Sequence, residues 1–326
     1  PEGHGETCMT ERPFVGPGGP PEVVGDSLGL AGPDRTGGLD SEFIRSRRGR
    51  LLRSPRGALV TSTISTLAVL GAIVAVLLLA PGSRAVRATY FNVHDMWRSF
   101  IGDPHEGFFS IGKGIVVNIE MFTIGEVLIL VLALVIALVR QSRSPILFPL
   151  RMLAVAYVDF FRGVPLILVI LAIGFGLPAL YLPFISSQSA FVYGVLALVL
   201  AYSAYVSEVY RAGLNSVPLS QIASARSLGL RARTAMRHVV LPQALRTIVP
   251  PLLNDFISLQ KDTALVAVLG AVIEANRAAE IYSSTVFNYS GYTVAAILFL
   301  LITIPLARFT DHLIARDRAR RLAGAT

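Results

Sequence analysis

Ser220-Gln-Ile-Ala-Ser-Ala-Arg-Ser-Leu-Gly-Leu230, then Arg231-Ala-Arg-Thr-Ala-Met-Arg-His238, then Val239-Val-Leu-Pro242, forms a polar, arginine-rich stretch between two long apolar runs. The flanking runs, roughly 190–210 and 249–272, have the ~18–25 residues needed to cross a ~30 Å hydrocarbon layer. Inside that layer every backbone N–H and C=O needs an internal partner, so the runs are expected to be helices. Two helices need only ~2–8 residues to join them. The polar island, 212–246, is far longer than that. Its arginines place it on the cytoplasmic side, where it can dock on a soluble partner. An ordinary basic loop has the same charge, and chemistry alone leaves both readings open.

Composition agrees with a chain built for lipid. It has 326 residues, 53% of them hydrophobic, and a mean hydropathy of +0.62. Only 15% are charged, where a soluble domain has about a quarter. The net charge of +8 raises the question of nucleic acid. The arginines, however, cluster between the apolar runs, which a membrane topology explains and nucleic-acid binding does not. The single cysteine, Cys8, permits no disulfide framework or cysteine-based metal site within the chain.

Working outward, residues 1–44 are rich in Gly and Pro, show no period, and are expected to be disordered and cytoplasmic. No cleavable signal peptide is visible, and Met9 is a candidate start. Arg45, Arg47, Arg48, Arg50, Arg53 and Arg56 precede the first apolar run and put the N-terminus inside. Six spans are expected, near 58–80, 114–139, 154–180, 190–210, 249–272 and 292–309, with both termini cytoplasmic. Residues 45–111 comprise the basic segment, an extra first helix and most of an external stretch (81–113) with Trp97. Residues 112–314 form the main transmembrane domain, and 315–326 a basic tail. The segment with Glu274, Arg277 and Glu280 is expected to be an outer loop. No G-x-x-x-x-G-K-[ST] phosphate loop occurs, so ATP, if used, is hydrolysed on another chain.

Within the island, 221–228 fits a short helix. Gly229 is suited to end it, since glycine adopts the left-handed C-cap conformation. Leu241-Pro242 then restarts a helix, proline being tolerated in its first turn. Charges inside the spans are costly, ~2.5 kcal/mol or more, and normally face protein or water. Lys261 and Asp262 are neighbours on a helix and cannot pair closely with each other. They line a path or make interhelical pairs. Glu126 is expected to be neutral or to pair with Lys261. Glu208 and Arg211, three apart, can pair directly. Arg162 is placed to snorkel, and Gly163 and Pro165 to bend their helix. His4, His94, His105, His238 and His312 have no metal-ligand partner at helical spacing. No catalytic site and no metal site are expected.

Four ordered motifs resemble those of permease subunits of polar-amino-acid ABC importers, the histidine/glutamine uptake group with the type I fold. Gln221, Ala225, Ser227, Leu228, Gly229, then Val239, Leu241, Pro242, Gln243 and Ala244, fit the family's cytoplasmic "EAA" loop in register. Arg162-Gly163-Val164-Pro165, Ala204-Tyr205-x-x-Glu208-x-x-Arg211, and Pro250 through Lys261-Asp262-Thr263 fit three further signatures in the family's order. The likeness covers about residues 112–310. Ser220, Ala223 and Ser224 depart from the family's Gly, Glu and Ala.

The resemblance implies an all-α, polytopic permease in the bacterial cytoplasmic membrane, with about six transmembrane helices. Coupling to ATPase subunits would run through the loop residues Gln221, Ala225, Ser227, Leu228, Gly229, Leu241 and Pro242. Lys261, Asp262, Thr263 and Glu126 would line the path of a polar amino acid. It also implies two ATPase subunits carrying ATP and Mg, a second permease subunit and an extracytoplasmic substrate-binding protein. No cofactor would be bound by this chain and no nucleic acid is involved. Ala223, in place of a carboxylate, favours a heterodimer whose other permease keeps the Glu. Two alternatives stay open: a permease for another small solute, such as an opine or cystine-like compound, and an ATP-independent secondary transporter. The latter would show inverted repeats, and none is evident.

Overall fold

The computed structural model describes residues 55–103, 105–142 and 144–323. The expected disorder of 1–44, most of the basic run before the first helix, and Cys8 lie outside the described residues. The chain divides into two compact units, 1–74 and 75–326. The described part of the first is most of helix α1 (Pro55–Leu79). In the second, α2 (Ser83–Tyr90), α3 (Val93–Ile101), α4 (Ile111–Gln141), α5 (Phe148–Gly163), α6 (Leu166–Ala179) and α7 (Ala190–Asn215) follow. Next come α8 (Leu219–Ser227), α9 (Ala232–Ala235), a π-turn (Met236–Val240), α10 (Leu241–Asp262), a 3₁₀ helix (Thr263–Leu269), α11 (Ala275–Val286) and α12 (Ser290–Ala323).

α7 is the axis of the bundle. In its most apolar stretch 67% of the residues are buried, against 28% in α4 and 17% in α12. The outer faces of α4 and α12 are therefore left uncovered by the rest of this chain. The main core joins Met121 and Ile129 of α4, Ile170 of α6, Leu198 and Val206 of α7, Leu259 of α10 and Val266 of the 3₁₀ helix.

The span count differs from the expected six. Among the described residues three helices are long and apolar enough to cross a membrane, α4, α7 and the Ser290–Arg316 part of α12, and the bent pair α5–α6 adds a fourth if taken as one span. Two physical features underlie this count. The 154–180 run is not straight but turns by 110° between α5 and α6. There Val164 and Pro165 are extended, with ψ of 131° and 135°, because a residue before proline is pushed out of the helical region. Finally, α10 carries Arg246, Asp255, Lys261 and Asp262 and gives way to 3₁₀ geometry at Thr263.

The segment expected as an outer loop is instead α11. The Glu274 side chain caps it, accepting from Asn276 N–H (2.8 Å) and Arg277 N–H (2.7 Å). Ala275, Ala278 and Ala279 then pack on Ile111 and Ile115. Gly114 permits this approach: a Cβ there would lie 2.6 Å from Ala275 N. The described part of the stretch expected to be external also packs on this helix. Asp95 of α3, buried, accepts from Tyr282 Oη (2.8 Å) and Asn288 Nδ2 (2.9 Å). Burial, and then Asp95, raise the Tyr282 phenol above its ordinary range.

Candidate functional site

The polar island is mostly helical. α7 runs on to Asn215, and after Ser216-Val217-Pro218 the chain enters α8. Val217 is buried with Val240, Ala244 and Ile248, and Ile222 packs against the same cluster. This cluster ties the base of α8 to both α7 and α10. Ala225 is buried, whereas Gln221, Ser227, Leu228 and Gly229 are exposed. Leu219 and Leu228, about 80% and 83% exposed, project from the two ends of α8.

Gly229 closes α8 with φ +83°. Its N–H bonds to Arg226 C=O at 3.0 Å, and Leu230 N–H to Ala225 C=O at 3.3 Å. This pair of bonds is the Schellman arrangement, which satisfies carbonyls that a helix end otherwise leaves unpaired. Downstream, the helix restarts before Leu241-Pro242. Proline has no N–H and its ring crowds the carbonyl four residues back. The turn before it widens to π geometry, with Leu241 N–H reaching Met236 C=O.

Just before the island, Glu208 gathers three arginines. Arg211 donates to Oε2 from Nε (3.0 Å) and Nη2 (2.7 Å). Arg140, from the end of α4, donates to Oε1. Arg162, from the end of α5, approaches Oε1 at 3.9 Å and lies over the Tyr205 ring. The Arg140 and Glu208 side chains are only 11% and 17% exposed. Arg162 thus points toward Glu208. The i, i+3 pair was legible in the sequence. Arg140, 68 positions away from Glu208, showed only as the residue ending an apolar run.

Lys261 and Asp262 close α10, and Thr263 opens the 3₁₀ helix. Tyr202 of α7, buried, donates to Asp262 Oδ2 at 2.7 Å. Lys261 is exposed and, among the described residues, no ion pair joins it to Glu126. The electrostatic neighbour of Glu126 is Asp255, whose Oδ2 is buried without a hydrogen-bond partner. Thr263 is fully buried and belongs to a polar network missed in the sequence. Asn118 Nδ2 donates to Thr263 Oγ1 and to Glu274 Oε2, both at 3.0 Å, and Asn118 Oδ1 accepts from Ala275 N–H at 3.0 Å. Thr303 of α12 bonds Gln260 at 2.8 Å. Asn118, a polar residue inside an apolar run, was the available signal. Burial pushes the Glu274 carboxyl above its ordinary range, while its N–H donors pull it back.

This geometry joins a multi-helix membrane bundle to an exposed, rigidly ended helix between α7 and α10. Residues 129–318 match the family described as "Binding-protein-dependent transport system inner membrane component". The chain belongs to this family, and is thus a multi-pass membrane permease component of a transport system. It is 35% identical to "Probable glutamine ABC transporter permease protein GlnM" of Bacillus subtilis (strain 168), over 54% of this chain and 79% of that protein. It is 34% identical to "Probable amino-acid ABC transporter permease protein PatM" of Vibrio harveyi, over 59% and 84% respectively. A solved structure described as "Crystal structure of an amino acid ABC transporter with histidines" superimposes with a TM-score of 0.58 at 31% identity, covering 63% of this chain and 93% of that one.

Proposed function

We propose that this chain is the permease subunit of an ATP-driven importer for a polar amino acid. The observation that carries the reading is α8. It is exposed at its ends, stopped by a left-handed glycine, and rooted in a shared cluster with α7 and α10. Such a helix fits a cleft on an ATPase and moves with the bundle behind it. The names of the relatives support the amino-acid class. The working unit is two permeases, favoured as a heterodimer, two ATPases holding ATP and Mg, and an extracytoplasmic binding protein. Both termini lie in the cytoplasm.

In this reading ATP binding closes the ATPase pair and draws α8 with it. The bundle then rocks, and the Lys261–Thr263 end of α10 is exposed alternately to the two sides. Tyr202 holds Asp262 in place, leaving Lys261 free to meet a carboxylate, while Glu126 offers an acceptor to an amino group. The chain itself performs no covalent chemistry.

Purifying the tagged chain in mild detergent and identifying its companions by mass tests the reading, followed by uptake in vesicles. An ATPase at one copy per permease, with ATP-dependent amino-acid uptake, is the expected result. A lone oligomer that transports without ATP overturns it.

A further inference from the structure

The cytoplasmic ends of α4, α5 and α7 meet at a single carboxylate. Glu208 lies seven residues before the end of α7, which closes at Asn215, and after three intervening residues α8 begins at Leu219. Arg140 reaches it from the penultimate position of α4. Arg162 reaches it from the penultimate position of α5, immediately before the 110° turn into α6. Arg211 completes the group from α7 itself. A second bond, Gln141 Nε2 to Asn215 Oδ1 at 3.1 Å, fastens the same ends of α4 and α7 one level further out.

A displacement of α8 can move the substrate path only if α7 carries α4 and α5 with it. Apolar contacts transmit this poorly, because packed helices slide past one another at little cost (the shear mode of domain motion). A charge-assisted hydrogen bond between helices, as Arg140 makes to Glu208 Oε1, is short and directional and resists sliding. The arginine side of the node is also in excess, with three guanidinium groups on one carboxylate. Arg162, with the longest contact and a side chain 47% exposed, is the member free to let go when α5 and α6 change their angle.

We propose that Glu208 is a positioning residue for coupling: it locks the ends of α4, α5 and α7 into one rigid body, so that motion of α8 reaches the path instead of being lost in slippage. Arg140 is the fixed arm of this lock and Arg162 the releasable one. The proposal rests on α8 being the ATPase-docking helix.

The test measures ATP hydrolysed per solute imported by the complete transporter in vesicles. Glu208→Gln and Arg140→Gln should raise that ratio about tenfold or more, since each breaks a partly buried charged contact, while ATP hydrolysis continues. The reversed pair, Glu208→Arg with Arg140→Glu, should recover part of the coupling. Arg162→Gln removes a long contact to Glu208 and a part-exposed stacking contact with the Tyr205 ring, so it should lower the melting temperature little and still raise the ratio about twofold or more. Should Glu208→Gln fail to accumulate, Arg162→Gln decides. A parental ratio in Arg162→Gln overturns the proposal, as does import falling in parallel with hydrolysis in Glu208→Gln. If Gly229→Val uncouples and Glu208→Gln does not, only the lock is lost. If neither alters ATPase binding or the ratio, the docking role of α8 fails first.

Discussion

Replacing Gly229 with asparagine, alanine and valine separates two reasons for a glycine. Its φ is +83°, and a Cβ built there meets no atom within 4 Å. Crowding inside the chain therefore contributes nothing, and the cost is conformational. For an L residue the left-handed region costs about 1–2 kcal/mol, least for asparagine and most for a β-branched side chain. A variant that leaves this region loses the bonds from Gly229 to Arg226 and from Leu230 to Ala225, each worth about 0.5–1.5 kcal/mol net. A penalty of about 1–2 kcal/mol lowers the population of the intact helix end about 5- to 30-fold. ATP-driven uptake in vesicles, normalised to inserted protein, should fall in the order Gly229, Gly229→Asn, Gly229→Ala, Gly229→Val. The reasoning is refuted if Gly229→Ala transports like the parent while Gly229→Val is inactive. That pattern means crowding by another chain, not backbone geometry.

Three further outcomes are expected. Gly114→Ala puts a methyl against the backbone of Glu274 and Ala275, which cannot rotate away. It should destabilise the protein by about 1–3 kcal/mol, read as a lower melting temperature in detergent. Asn118→Ala removes the partner of Ala275 N–H and one of the partners of Glu274 Oε2 and of Thr263 Oγ1. At about 1–3 kcal/mol for a buried group left unpaired, it should cost more than Thr263→Val, and equal losses in thermal melts would show that the network is not shared through Asn118. Burial raises the Glu274 carboxyl, so the folded chain keeps that proton to higher pH than the unfolded one. The stabilisation this gives is complete below the unfolded value and lost as pH rises through the folded one. Melting temperatures from about pH 4 to about pH 8, starting near the ordinary glutamate value, should therefore decline less for Glu274→Gln than for the parent.

Much of the architecture was legible from the sequence because lipid imposes simple rules. An apolar run must be helical, so the helices α4, α7 and α12 and the helical tip at 221–228 ended by Gly229 could all be read from local pattern. Local spacing also made the Glu208–Arg211 contact available, since residues three apart face each other on a helix. Even the turn at Val164–Pro165 was signalled by glycine and proline, though not its 110° angle, which depends on what α5 and α6 pack against.

What only the tertiary structure decided is which distant groups share a site. The sequence by itself established the membrane bundle, the polar island and its glycine stop, because each follows from the solvent or from a single residue's backbone freedom. It could not bring Arg140 to Glu208, Asn118 to Glu274 or Tyr202 to Asp262, nor turn the stretch after Glu274 into a packed helix. Those contacts join residues 60 to 156 positions apart. They depend on the faces two helices present once packed, and a one-dimensional pattern carries no record of that.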